Sequence, residues 1–192
     1  MYNQAATDGT GMRVMHPQKR SMLWINLLGG TAVLGSYAFG LLSHPGEGAA
    51  LWGGVPVELR SVYATGMLLA AAGYLAFTYF LLVRLEPVDA RIKRRAAFPV
   101  FNWLYAGILV PSALWMPLTW MMIDQPSGAL WFGIRLSLAT VGLAALGMVM
   151  ALSFVHPKDP RWAHRLALIG SVAVALHTGI LDALVWPVLF SG

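Results

Sequence analysis

Five long apolar runs separated by short polar stretches set the fold of this chain. They cover residues 22–42, 62–83, 98–123, 129–155 and 166–190. A helix crosses ~30 Å of hydrocarbon with about 20 residues at 1.5 Å each, and every run is long enough. Inside hydrocarbon the backbone has to satisfy its own polar groups, so each run is expected to be a helix. Only 11% of the 192 residues are Asp, Glu, Lys or Arg, and 58% are hydrophobic. A soluble domain carries roughly a quarter charged residues. The expected fold is therefore all-α, an integral membrane bundle of five transmembrane helices. Residues 1–20 read as a flexible polar tail and 21–192 as one domain, with helices near 22–42, 62–83, 98–123, 129–155 and 161–190. The first run exceeds the 7–15 residues of a signal-peptide core.

Charge sets the expected orientation. Arg13, Lys19, Arg20, Arg84, Arg91, Lys93, Arg94, Arg95, Lys158, Arg161 and Arg165 all fall on one side of a five-span chain, and only Arg60 and Arg135 fall on or near the other. An excess of Lys and Arg marks the cytoplasm. The N-terminus is thus expected in the cytoplasm and the C-terminus outside, in a plasma membrane or bacterial inner membrane. The net charge of +5 then suits anionic lipid headgroups at Arg91, Lys93, Arg94 and Arg95 rather than nucleic acid. The segment 86–95 itself reads as a solvated loop.

The absence of cysteine excludes disulfides, Cys-ligated metal and covalently attached haem. All three lysines lie outside the runs, so no retinal Schiff base has a place. No phosphate-binding glycine loop, HExxH motif or serine elbow is present. Non-covalent pigment, haem or lipid is left open.

Polar residues within the runs carry the functional information, because they are costly unless paired or solvated. Arg135 sits about 9 Å and Asp182 about 12 Å inside the same end of antiparallel helices, by the helical rise. That matched depth predicts an ion pair, which either pins two helices together or forms a polar site. The remaining alternative is that the two never meet and Arg135 snorkels to the surface. His177 shares a face with Gly170 and Ala173. Small residues mark helix contacts, so His177 is expected to point into the bundle. Pro111 and Pro117 interrupt backbone bonding in the third run, which predicts a kink and a bordering cavity near Trp115. Trp24, Trp103 and Trp162 suit one interfacial belt, and Trp52, Trp120, Trp131 and Trp186 the other. Asp159-Pro160 reads as the cap and first residue of the fifth helix.

Leu114-Trp115-Met116-Pro117, the five runs and the many tryptophans resemble the translocator protein (tryptophan-rich sensory protein) family. That resemblance implies a bundle that binds porphyrins or sterol-like molecules. It covers one short motif and a helix count. The family's Trp/Pro-rich first loop is matched only by Trp52 and Pro56, and its basic C-terminal tail is not matched by Phe190-Ser-Gly.

The residues support binding of a small, largely apolar ligand in an intramembrane pocket near the outer leaflet, lined by Trp115, Arg135, His177 and Asp182. A second reading is a non-catalytic subunit or assembly factor, as a homo-oligomer or within a larger membrane complex. A third is an enzyme using His177 and Asp182 as acid and base. The charge asymmetry generates a direct test. Reporter fusions at the two termini should report opposite sides of the membrane, and a same-side result would make the span count even.

Overall fold

The computed structural model describes residues 15–92 and 95–190. It is 83% helical, and five of its helical stretches are long and apolar enough to cross a membrane. Helix α1 is Pro17–Ser43, α2 is Val57–Tyr79, α3 is Phe98–Asp124, α4 is Gly128–Phe154 and α5 is Arg161–Leu176. Two stretches are π-helical. Phe80–Arg84 prolongs α2, and His177–Val185 joins α5 to the short α6, Trp186–Leu189. The fifth span is therefore α5, the π segment and α6 in series.

Local chemistry sets the helix ends. Pro17 opens α1, and the His16 ring accepts from the Gln18 amide. Proline is tolerated there because the first helical N–H has no partner. The chain is thus helical from Pro17, and the expected tail is shorter than residues 1–20; residues 1–14 lie outside the described residues. Ser127 caps α4 by accepting from the Leu130 amide. Pro160 is extended (ψ 141°), so Pro160 rather than Asp159 occupies the cap position, and α5 starts at Arg161.

The basic end differs from a plain loop. Arg91–Ile92 (β1) pairs antiparallel with both Arg95–Ala96 (β2) and Val155–His156 (β3), in the order β2-β1-β3. This small sheet ties the second connection to the end of α4. Lys19, only 8% exposed, pairs with Glu86 at 2.9 Å and fastens α1 to the same cap. Lys93 and Arg94 lie outside the described residues. Arg84, Arg91, Arg95, Arg161 and Arg165 are exposed around this end, as are Trp24, Trp103 and Trp162.

Helices α1 and α2 do not pack along their length. α1 lies on α3, α3 on α4, α4 on the fifth span, and the fifth span on α2. The side-chain bonds that join α1 to the second span are Tyr74–Asn26 and Lys19–Glu86, both toward the basic end. The larger core also lies there, around Phe77, Phe80, Phe98, Phe101 and Tyr105. A smaller core at the far end contains Tyr63, Ile134, Leu138, Trp186 and Phe190.

Two glycine pairs hold the fifth span in place. A Cβ on Gly170 would lie 2.6 Å from the Gly73 Cα, and one on Gly142 would lie 2.9 Å from the Gly179 Cα. These are backbone-to-backbone contacts. Apolar side chains gain little by leaving lipid for another helix, so such close approach is a main source of helix association in a bilayer.

The long connection between α1 and α2 closes the far end. The Gly54 amide donates to the Leu189 carbonyl, and the Trp186 indole donates to the Leu51 carbonyl, at 2.9 and 3.0 Å. Gly53 has φ 51°, and a Cβ there would meet Phe190 at 2.6 Å, so glycine serves both the turn and the contact. Trp120 and Trp186 are 3% and 4% exposed. They are packed inside, contrary to the expectation of an interfacial belt.

Substitutions at glycine separate clamp from surface. Gly73→Leu should lower stability by roughly 1–3 kcal/mol or more, because neither backbone can yield. Gly35 has open space around it, and Gly35→Ala should be neutral or gain up to about 1 kcal/mol. Thermal unfolding in a mild detergent reads both changes.

Candidate functional site

His177 is the first residue of the π segment, and Asp182 is five residues later. In an α-helix, residues five apart point about 140° away from each other. In a π-helix the backbone bond runs from i to i+5 and stacks those residues one above the other. The π segment thus brings His177 Nε2 to 3.6 Å from Asp182 Oδ2. That distance exceeds a hydrogen bond, so the two are electrostatic neighbours. The extra backbone width is used locally. The Leu181 carbonyl accepts from the Trp186 amide and also from the Tyr63 hydroxyl, at 2.9 Å in the latter case.

Helix α2 shapes the other wall. Tyr63, Gly66, Ala70, Gly73 and Phe77 recur at helical spacing on one face. Gly73 sets the close approach to Gly170 described above. Two turns earlier on α2, a Cβ on Gly66 would meet His177 Nδ1 at 2.7 Å. Gly66 therefore provides the room for the imidazole, which is 8% exposed. The Tyr63 ring stands edge-on to His177 at 6.3 Å and to Trp52 at 5.8 Å. The expectation that His177 faces other helices matches this placement.

Aromatic rings complete the far-end site. Trp115 on α3 lies 5.8 Å from both Tyr37 on α1 and Trp186 on α6. The Tyr63 hydroxyl donates to the carbonyl of Leu181, the residue before Asp182. Trp131 and Phe190 extend the cluster behind Trp186. Asp182 keeps 30% of its side chain exposed.

Arg135 does not join the site. It is exposed on α4 and makes no ion pair or hydrogen bond among the described residues. The reason is angular. Ile134 is fully buried, and the next residue on an α-helix lies about 100° around. Matched depth was a sound inference, but facing direction is decided by packing. The expected Arg135–Asp182 pair is therefore replaced by His177–Asp182.

Polar atoms are left without partners at this site. His177 Nδ1 and Trp115 Nε1 are buried and make no hydrogen bond. The Tyr37 hydroxyl also makes none among the described residues. Unpartnered buried polar atoms are few in native proteins, and each calls for an explanation. Helix α3 itself is continuous through Pro111 and Pro117. The irregular backbone beside the site belongs to the fifth span instead, and the Ser112 and Thr119 hydroxyls donate within α3, to Ile108 and Trp115 carbonyls.

A groove of about 560 Å³ opens between α2 and the fifth span, with Ser61, Thr65, Gly66, His177 and Ile180 among its lining. A second hollow of similar volume lies at the far tip between Met122, Trp131, Pro187 and Phe190. No group of three or more His, Cys, Asp or Glu gathers to hold a metal among the described residues.

No family model matches the chain, and no curated protein or solved structure matches it either. The likeness of Leu114-Trp115-Met116-Pro117 to the translocator family stands on that short motif alone. Tyr37, Tyr63, Gly66 and Trp186 were not singled out from the sequence as site residues. The stripe from Tyr63 to Phe77 was the available signal for α2.

Coupling between substitutions distinguishes the two partners of Asp182. His177→Phe and Asp182→Asn should be non-additive in stability, by about 0.5–3 kcal/mol. Arg135→Leu and Asp182→Asn should add within about 0.5 kcal/mol. The reverse pattern in a double-mutant cycle would restore the Arg135 pairing.

Proposed function

We propose that this chain is a multi-pass membrane protein that binds a small, largely apolar ligand in its far-end polar-aromatic site. The N-terminus and the basic sheet lie in the cytoplasm, and the site lies in the outer half of the bilayer. The exposed arginines around the small sheet support that orientation and suit anionic lipid headgroups. The observation that carries the ligand reading is the pair of buried, unpartnered polar atoms Trp115 Nε1 and His177 Nδ1, with His177 beside Asp182, within otherwise aromatic walls. Sites for small molecules are mostly apolar with a few placed polar groups. Of the four residues expected there, Trp115, His177 and Asp182 serve; Arg135 is left out.

Access is sideways. The α1–α2 connection seals the tip through Leu51 and Gly54. The bonds joining α1 to the second span lie toward the cytoplasmic end. The groove between α2 and the fifth span, lined by Ser61, Thr65, Gly66 and His177, is the route by which a lipid-soluble molecule reaches His177.

A second reading, as a subunit of a larger complex, draws on α1. That helix packs on α3 and leaves Leu28, Leu34, Phe39 and Leu42 broadly exposed.

Purification in gentle detergent followed by mass spectrometry of the extract tests the choice. The wild-type chain should retain a small molecule near one equivalent, and Trp115→Leu should retain at least about tenfold less, the equivalent of ~1.4 kcal/mol. Stoichiometric partner chains with no small molecule would favour the subunit reading instead.

A further inference from the structure

The charge at the far-end site narrows the chemistry of its ligand. Asp182 is the one acidic residue of the described spans away from a helix end, since Glu58 lies in the first turn of α2 and Asp124 is the last residue of α3. The cations that could neutralise it are engaged or turned away. Arg135 is exposed on another face of α4. The Arg60 guanidinium lies over the Trp52 ring at 5.5 Å, and its Nε donates to the Val55 carbonyl. Lys19 pairs with Glu86 at the opposite end. His177 remains, at 3.6 Å and without hydrogen-bond geometry.

The walls point the same way. The Tyr63 ring stands edge-on to His177, the neighbour of Asp182, at 6.3 Å, and Trp186, four residues beyond Asp182, begins an aromatic row in which Trp115 lies 5.8 Å from both Trp186 and Tyr37. Ring faces attract cations, tryptophan most strongly, and the attraction grows when water is excluded. A bare metal cation fits poorly, because calcium takes six to eight oxygen ligands and magnesium six. Here one carboxylate stands with two tyrosine hydroxyls, and that of Tyr63 is already given to Leu181.

We infer that the far-end site takes a lipophilic organic cation, an apolar body carrying an ammonium group, with Asp182 as counter-ion and Tyr37, Trp115 and Trp186 as the aromatic walls. This rests on the proposed reading of the site as a ligand pocket and adds the charge of the ligand. Trp115 Nε1, buried and without an acceptor, suits an oxygen on the same ligand.

Three probes with one tail and different heads test it: octyltrimethylammonium, octyl sulfate and octanol. Each is measured by equilibrium dialysis against the full chain in maltoside micelles, corrected for empty micelles. The cation should bind the wild-type chain at least about tenfold more tightly than either other probe, the scale of a ~1.4 kcal/mol cation preference. Asp182→Asn should abolish that preference, and Asp182→Glu should keep it. If Asp182→Asn does not fold, the ranking of the three probes on the wild-type chain still decides. Equal or stronger binding of octanol or octyl sulfate would overturn the cation assignment and leave a pocket. No binding of any probe above empty micelles would overturn the pocket as well. Cation binding unchanged in folded Asp182→Asn would move the site away from Asp182.

Discussion

The close backbone contact of Gly170 with Gly73, echoed by Gly179 with Gly142, is the constraint on which the rest of the structure depends. Both pairs lie on the fifth span, which they hold between α2 and α4. In water, burial of apolar surface would drive such packing. In lipid that drive is largely missing, and association relies on van der Waals contact between closely fitted surfaces. Side chains larger than hydrogen at these four positions would push the helices apart. The distance between α2 and the fifth span then fixes the space for His177, because Gly66 is on the same face as Gly73, seven residues earlier.

The π segment is the second element of the design. An insertion-like widening of one turn costs regular hydrogen bonding, and such segments recur at functional sites. Here its effect is specific. It aligns residues 177 and 182, which a regular helix would separate, and exposes the Leu181 carbonyl to Tyr63. The fifth span is thus held closely at Gly170 and Gly179 and is π-helical from His177 to Val185, around the second of them. A site on such a segment combines a fixed position with a polar backbone, in a region where polar backbone is otherwise concealed.

The two halves of the bundle are packed differently. Toward the basic end, Phe77, Phe98, Phe101 and Tyr105 form a closed core under a three-stranded cap pinned by Lys19 and Glu86. Toward the far end, aromatic rings surround the unpartnered Trp115 Nε1, Trp120 Nε1 and His177 Nδ1, and no side-chain hydrogen bond joins α1 to α2 there among the described residues; at the basic end Asn102 Oδ1 is the corresponding unpartnered atom.

The sequence by itself determined the helical content, the number of long apolar helices and the inward face of His177. These follow from run length and from small residues at helical spacing, which are local properties. Tertiary structure decided which of the polar residues meet. Depth along a helix is readable from residue counting, so Arg135 and Asp182 matched in depth; rotation about the helix axis is set by packing, and it turned Arg135 outward. The shift into π-helix at His177 left no mark in the hydropathy pattern, since the nine residues His177–Val185 are too few to reveal a change of period. The cap at the basic end was equally hidden, because its strands are two residues long and Arg91–Ile92 finds Val155–His156 only after α3 and α4 have folded back. A pattern of single residues records what each prefers nearby, whereas these pairings depend on where distant backbones come to rest.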